Sequence, residues 1–298
     1  MNPRITITAS AYRPQNWMDL YRSIGDNDVE FELVFVGPNP PNYELPKNFR
    51  FIRTDVKPIQ CMEIAARNAT ADLIMVNFTD DCEFVGSRPL DRLYETYKSY
   101  NDDKIILSCK YMFNGENLSH ALQLFDTTDP SSPVMPLAAL MSRKLYHDIG
   151  GMDRNFKAVY GDLDLTMRVY ALGGRVVMSD VYINELFSKR RGSILCGEFG
   201  EHDRGILNSL WTTNGKVHFN RAKPVEPFSD VNILEASQGP RGRWRGNRPI
   251  LIEKIEDNIL SQRSIPRRII RGIRKPFMYP NYAKRMALYV KRMVLREK

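Results

Sequence analysis

Cysteine is scarce: 298 residues carry four (Cys61, Cys82, Cys109, Cys196), scattered and without a CxxC pair. That spacing excludes a zinc knuckle and a disulfide framework, and it fits reduced thiols in a cytosol. Long apolar runs are missing too, since stretches such as Leu73 to Val76 are far too short to span a bilayer. Met1-Asn2-Pro3-Arg4 passes straight into an alternating strand pattern, so no secretory leader is expected. Of four histidines, His120, His147 and His218 lack any partner at metal-ligand spacing and read as structural. No internal repeat is visible.

What is present is ordinary in bulk and uneven in charge. Hydrophobic residues make up 43% and charged residues 26%, as in a typical globular domain. The chain is long enough to bury one large core, or one core with a small appendage. The net charge of +8 comes entirely from the end of the chain. Residues 241–298 hold 17 Lys and Arg against 4 Asp and Glu, leaving the rest at −5. A mildly acidic body with a strongly basic tail points to an anionic surface as the tail's partner.

Periodicity supplies the elements. Arg4 to Ala9 alternates Ile5 and Ile7 with Thr6 and Thr8, a first strand. Trp17 to Ile24 has helical spacing through Trp17, Leu20, Tyr21 and Ile24. Phe31 to Val36 is a continuous apolar run, as in a strand covered on both faces, and Phe49 to Arg53 is another strand. A helix over Ile59 to Ala71 leads to a strand over Leu73 to Phe78. Pro89 to Tyr100 is expected as a helix, Ile105 to Cys109 as a strand, and Asn114 to Pro136 as a long surface connection. A strand over Leu137 to Met141, helices over Arg143 to Ile149 and Leu163 to Ala171, and a strand over Arg175 to Met178 follow. Ser188 to Gly205, rich in glycine and charge, suggests a mobile loop. The alternation predicts an α/β fold with a mostly parallel sheet, ligands lying outside the carboxyl ends of its strands.

Chemistry gathers at two places. Thr79-Asp80-Asp81 follows an apolar strand directly, and adjacent carboxylates there suit a hard divalent cation or, alternatively, cap the next helix. Gly150-Gly151-Met152-Asp153 precedes Tyr160-Gly161-Asp162-Leu163-Asp164-Leu165 and Arg168. Asp162 and Asp164 sit at a helix start, where carboxylates cap free amides. With Leu163 in the core the two cannot share one direction, so one caps while the other faces a cleft. Asp162 is the choice for a base acting on a nucleophile. His202 lies in the glycine-rich stretch, either as a cation ligand or solvated. Lys189, Arg190 and Arg191 would meet a diphosphate or form a solvated face.

These residues, in this order, resemble the family 2 inverting nucleotide-sugar glycosyltransferases. The match covers roughly residues 4 to 210: Ile5 to Tyr12; Ala66-Arg67-Asn68-Ala69 with Ala71-Asp72-Leu73-Ile74; Thr79-Asp80-Asp81; Ile149 to Asp153; and Tyr160 to Leu165 with Arg168 and Gly173. The resemblance implies a GT-A fold over residues 1–240, with a nucleotide-binding half over about 1–110 and an acceptor half over about 111–240. It implies Mn²⁺ or Mg²⁺ as cofactor, with Asp81, Asp80 beside it and His202 as ligands. Ser10, Tyr12 and Arg67 would line the nucleotide, with Asp80 near its ribose, and Asp162 would be the general base. Donor and acceptor would be a nucleotide sugar and a glycan or lipid-linked saccharide, in the biosynthesis of a surface polysaccharide or glycolipid.

Two departures stand out. Many members end the second strand with an aspartate that reads the base, whereas Val36-Gly37-Pro38-Asn39 stands here, with Asn39 as a partial substitute. Phe78 occupies the place of the motif's first aspartate. An inactive glycan- or membrane-binding protein on the same fold is therefore an alternative. A sugar-phosphate nucleotidyltransferase is another, although Thr8 to Pro14 lacks the glycines of its phosphate loop.

Beyond Arg241 the composition changes. Arg241-Gly242-Arg243-Trp244-Arg245-Gly246 resembles a linker, and Tyr282, Met286, Tyr289, Val290, Met293 and Val294 then recur at near-helical spacing among Lys and Arg. A basic amphipathic helix over part of 241–298 suits the cytoplasmic face of an anionic membrane, or else packs its apolar stripe on the body. Nucleic acid is not an expected partner, as no recognised nucleic-acid module is present. Truncation after residue 240 is expected to release the protein from anionic vesicles in a co-sedimentation assay. Unchanged partitioning would favour the packed helix.

Overall fold

The computed structural model describes residues 2–117, 123–126, 128–186, 192–230 and 233, the side chains of 117, 123 and 192–198 excepted. The expectations for Lys189, Arg190, Arg191 and the basic tail lie outside the described residues.

The first third is built as the periodicity demands. Strands β1 (Ile5–Ser10), β2 (Phe31–Gly37), β3 (Phe49–Arg53) and β4 (Leu73–Thr79) run parallel, with α1 (Trp17–Ile24) between β1 and β2 and α2 (Pro58–Arg67) between β3 and β4. The apolar run in β2 is explained by its two faces. Val34 and Val36 enter a core with Ile59, Ile64 and Ala65 of α2, whereas Leu33 and Phe35 enter another with Trp17, Leu20 and Ile24 of α1. Both faces are covered, and each fully buried side chain of this size contributes about 1.5–3 kcal/mol.

After β4 come β5 (Cys82–Val85), α3 (Pro89–Ser99), β6 (Ile105–Phe113), β7 (Glu116–Asn117), β8 (Gln123–Leu124), β9 (Val134–Met135) and β10 (Ala139–Ser142). Helices α4 (Arg143–Asp148) and α5 (Gly161–Ala171), strand β11 (Arg175–Glu185), helix α6 (Gly192–Trp211) and the pair β12 (Thr212–Thr213) and β13 (Lys216–Val217) complete the described chain. The central sheet has the order β3-β2-β1-β4-β10-β6-β11-β5, with β7 on β6. It is parallel through β3-β2-β1-β4 and again between β6 and β11; β10 lies antiparallel between β4 and β6. Helices cover both faces, so the expected α/β arrangement of GT-A type holds, with a mixed second half.

Several expectations are corrected. Ser188 to Gly205 was expected to be a loop, but residues 192–205 are helical as part of α6. Its buried Phe199, Leu207, Leu210 and Trp211 supply an apolar stripe that outweighs the helix cost of Gly200 and Gly205. The connection from 114 to 136 carries β7, β8 and β9, and β11 extends seven residues past Met178 to reach Glu185. The edge strand β5 has too short a pattern to be seen.

Gly150-Gly151 makes a sharp turn after α4, with φ of 93° and 63°. A Cβ on Gly151 would lie 2.6 Å from Glu63 Oε2, an oxygen that accepts from the Tyr146 hydroxyl (2.6 Å) and the Met152 amide (2.9 Å). Gly115 has φ of 82° with nothing within 4 Å of such a Cβ. Gly115→Ala is expected to cost about 1–2 kcal/mol for the left-handed backbone alone. Gly151→Ala adds displacement of a buried carboxylate and is expected to cost about 3 kcal/mol or more in urea unfolding. Equal midpoints for the two variants would show that Glu63 yields freely.

Candidate active site

The carboxyl ends of β1, β2 and β4 are drawn together by backbone detail. The Ala11 amide bonds to Val36 O (2.8 Å), and Gly37 lets the chains close, since a Cβ there would lie 1.8 Å from Ala11 O. In β4 the ladder with β1 slips between Ile7 and Ala9, and Asn77 takes φ of 54°. Its side chain donates to Pro136 O (3.0 Å). Past this bulge the chain delivers Thr79, Asp80 and Asp81 to the strand end.

Asp80 is buried and fully engaged. Oδ2 accepts the backbone amides of Tyr12 and Arg13 and the Trp17 indole (3.1 Å), while Oδ1 faces Arg13 Nη1 at 2.6 Å. It fixes the turn between β1 and α1, an arrangement in which the carboxylate satisfies free amides. Tyr12 O accepts from Asn39 Nδ2 (3.0 Å), and Ser10 stands between Val36 and Thr79. The structure therefore brings Ser10, Tyr12, Asn39, Asp80 and Asp81 to one edge.

Asp81 is different. Its Oδ2 lies 3.0 Å from Arg13 Nη1, but Oδ1 is buried with no hydrogen-bonding partner. The Arg13 Nε–H beside it is also buried and unpartnered. Burial raises the Asp81 pKa to about 6; Arg13 opposes this, Asp80 and Glu185 reinforce it, and the Thr79 hydroxyl opposes it slightly. Glu185, at the end of β11, accepts from the Tyr111 hydroxyl, and the Leu186 amide bonds to Asp81 O (2.8 Å). Sequence reasoning named neither Arg13 nor Glu185, which nothing but folding places beside Asp81.

Arg67 is a correction. It lies at the C-terminal end of α2, and the helix runs antiparallel to β1 and β4, so this end is at the opposite edge of the sheet. Its guanidinium is held by Glu63 (2.7 Å), Asp230 (2.8 Å) and Phe228 O. It braces the segment 228–230, away from the edge where Asp80 and Asp81 lie. His202 is corrected as well: it lies within α6, its Nδ1 2.8 Å from Asp203 Oδ1. Asp80, Asp81 and His202 do not converge, for among the described residues no group of three or more His, Cys, Asp or Glu side chains is placed to hold a metal.

Asp162 and Asp164 divide their roles sharply. Asp164 is fully buried, accepting from Arg168 Nε (3.0 Å), Trp211 Nε1 (2.9 Å) and Arg221 Nε (2.9 Å). Arg221 also reaches Asp153 Oδ2, and Arg168 donates to Ile149 O (2.5 Å) and Gly151 O (2.6 Å). The Asp164 charge is thus spent on joining the Gly-Gly turn to α5 and α6. Asp162, half-buried in the first turn of α5, meets the backbone amides of Asp162 and Leu163. Burial raises its pKa and those amides oppose the rise.

The loop before α5 is set by Asp203, whose carboxylate accepts the amides of Lys157 (3.1 Å), Ala158 (2.8 Å) and Val159 (3.0 Å). Tyr160 then takes φ of 63°. Ile59 N bonds to Lys157 O (3.2 Å), and Gly161 packs on Ile59 so closely that a Cβ would lie 2.8 Å from its Cδ1. Ile59 opens α2, just past the carboxyl end of β3. Asp162 therefore stands at the same edge of the sheet as Asp81.

No protein-family model matches this sequence, and no curated protein matches it. Solved structures resemble the fold. S. aureus TarS 1-349 shares 16% identity over 60% of each chain, with a TM-score of 0.45. A second S. aureus TarS structure shares 15% identity over 72% of this chain and 41% of that one, with a TM-score of 0.47. The bifunctional IspDF from Campylobacter jejuni shares 12% identity over 60% of this chain and 50% of that one, with a TM-score of 0.37. The chain spans 60% or less of the length of each of these. Among the described residues no helix is long and apolar enough to cross a membrane.

The two helix-start carboxylates should separate in stability measurements. Asp164→Asn leaves Arg168 and Arg221 short of a buried counter-charge and is expected to cost about 3–5 kcal/mol. Asp162 has a folded pKa above its unfolded value, so its ionisation opposes folding once pH exceeds the unfolded pKa, fully so above the folded one. Asp162→Asn at pH 7.5 is therefore expected to keep or raise the urea midpoint. A large loss in that variant would show that the Asp162 carboxylate serves the fold.

Proposed function

We propose that this protein transfers a sugar from a nucleotide-sugar donor to an acceptor hydroxyl with inversion. The observation that carries the reading is the pair of opposite orphans at the strand ends: Asp81 Oδ1, a buried acceptor, and Arg13 Nε–H, a buried donor, in one ion pair. Buried polar atoms are rarely left so, and these two call for a cation and an oxyanion together. A diphosphate with its divalent cation answers both.

The residues fit one protein carboxylate on the cation. Asp81 Oδ1 would hold Mn²⁺ or Mg²⁺, hard ions that draw further oxygens from phosphate and water instead of from a protein cage. When bound, the ion supplies charge neutralisation for the departing diphosphate. Asp80 holds the turn carrying Tyr12 and Arg13, and Ser10, Tyr12 and Asn39 line the nucleoside side. Asp162 takes the proton from the acceptor hydroxyl as that oxygen attacks the anomeric carbon from the face opposite the nucleotide. Its raised pKa makes it a better base than an ordinary carboxylate, provided that it is ionised. The Asp164 network holds α5, and among the described residues no ion pair engages Asp162. The acceptor is a glycan or lipid-linked saccharide, and the basic tail of 241–298 would hold the protein at the inner face of an anionic membrane.

A panel of nucleotide sugars, with and without Mn²⁺, scored for thermal stabilisation and donor hydrolysis tests the reading. Stabilisation by at least one donor, enhanced by Mn²⁺, is expected; silence from every nucleotide under every metal condition would end it. With a productive donor, Asp162→Asn should lower kcat about 100-fold or more with little change in KM. The wild-type rate should fall on the acid side at a pH above the ordinary carboxylate range. Near wild-type turnover in Asp162→Asn would remove Asp162 from the chemistry.

A further inference from the structure

Arg13 sits where a cation and a diphosphate would both exert force on it. Its guanidinium Nη1 spans the two carboxylates, 2.6 Å from Asp80 Oδ1 and 3.0 Å from Asp81 Oδ2. The backbone beneath cannot follow the side chain, because its amide is held by Asp80 Oδ2. The side chain is thus an arm on a fixed base. Asp80 has further donors in Tyr12 N and Trp17 Nε1, whereas Arg13 is the charged partner of Asp81.

We propose that Arg13 couples cation binding to diphosphate binding: it competes with the cation for Asp81 and gives way to it when a diphosphate takes the guanidinium. The inference rests on the reading of Asp81 as the cation's carboxylate. Formal charge gives the reason. Asp80, Asp81 and Glu185 oppose one guanidinium, so the cluster carries −2. A divalent cation alone would bring that to zero, but on Asp81 it would press against the Arg13 guanidinium on the same carboxylate at close range, which is costly at low dielectric. A doubly charged diphosphate arriving with the cation restores the original sign. It also offers the Nε–H the acceptor that it lacks. A guanidinium suits this exchange, since its planar fork pairs with carboxylate and phosphate alike. The result is a site that binds free Mn²⁺ weakly and the Mn²⁺–diphosphate pair well, so that cation is not held without a donor.

The test is Mn²⁺ binding to the full chain, read from the free-ion electron paramagnetic resonance signal at pH 7.5, with and without UDP. Wild type, Arg13→Met, Arg13→Gln and Asp81→Asn are compared, with circular dichroism to verify folding. Arg13→Met is expected to bind Mn²⁺ alone about tenfold more tightly than wild type, the worth of one charge-assisted contact. The enhancement of Mn²⁺ binding by UDP should shrink in the same variant. Arg13→Gln carries the same expectation and preserves a hydrogen bond to Asp80, so it decides the matter if Arg13→Met does not fold. Unchanged Mn²⁺ affinity in the folded Arg13 variants, with binding abolished in Asp81→Asn, overturns the coupling and leaves the metal reading standing. Mn²⁺ binding by none of the proteins, with or without UDP, overturns the metal reading itself and the coupling with it.

Discussion

The buried bridge of Arg221 between Asp153 and Asp164 is the constraint on which the placement of the turn at 149–153, α5 and the end of α6 depends. Its guanidinium is 9% exposed and both carboxylates are at 0%. Buried ion pairs contribute little net stability when intact, because desolvation offsets attraction, but they cost several kcal/mol when one partner is removed. Their value here is positional. Arg221 with Arg168 and Trp211 joins the turn at 149–153, the start of α5 and the end of α6, three segments distant in sequence. Asp164 takes the guanidinium groups of Arg168 and Arg221, while Asp162 two residues before it meets only backbone amides among the described residues.

The carboxyl ends of β1 and β4 use the same device with a different residue. Asp80 takes two backbone amides, an indole and a guanidinium, and so turns a flexible strand end into a fixed one. Asp203 does the corresponding work for residues 157–159. In each place one carboxylate is spent on the backbone so that an adjacent or nearby one need not be. Asp80 beside Asp81 and Asp164 near Asp162 show a similar division of labour: one acid takes several donors, and the other takes fewer.

This division explains what was legible in the sequence. Strands β1 to β4 and helices α1 to α3 announce themselves because each buries a regular stripe or a continuous run. Spacing separated the directions of Asp162 and Asp164, but the partners of Asp164, namely Arg168, Trp211 and Arg221, were not legible in it. Arg67 was misread because an arginine at the end of a helix looks the same whichever edge of the sheet that helix end reaches. His202 was misread through its glycines, which suggested a loop where buried Phe199, Leu207 and Trp211 build a helix. Arg13, Glu185 and Asp203 have no local signal; each becomes informative only when a distant segment is folded against it.

The bulge at Asn77 has a consequence for how the strand is anchored. Ile7 pairs with Met75 and Ala9 with Phe78, so β4 spends one more residue than β1 over the same span. A chain lacking position 77 would place Phe78 opposite Ala9 and Thr79 opposite Ser10 in one unbroken ladder. Asn77 is therefore a single-residue length variant superimposed on a regular parallel pair. What it adds is attachment: its side chain takes hold of Pro136 and its carbonyl receives the Ala138 amide. One extra residue in the strand moors the far connection to the strand that carries the acids and leaves their alignment with β1 untouched.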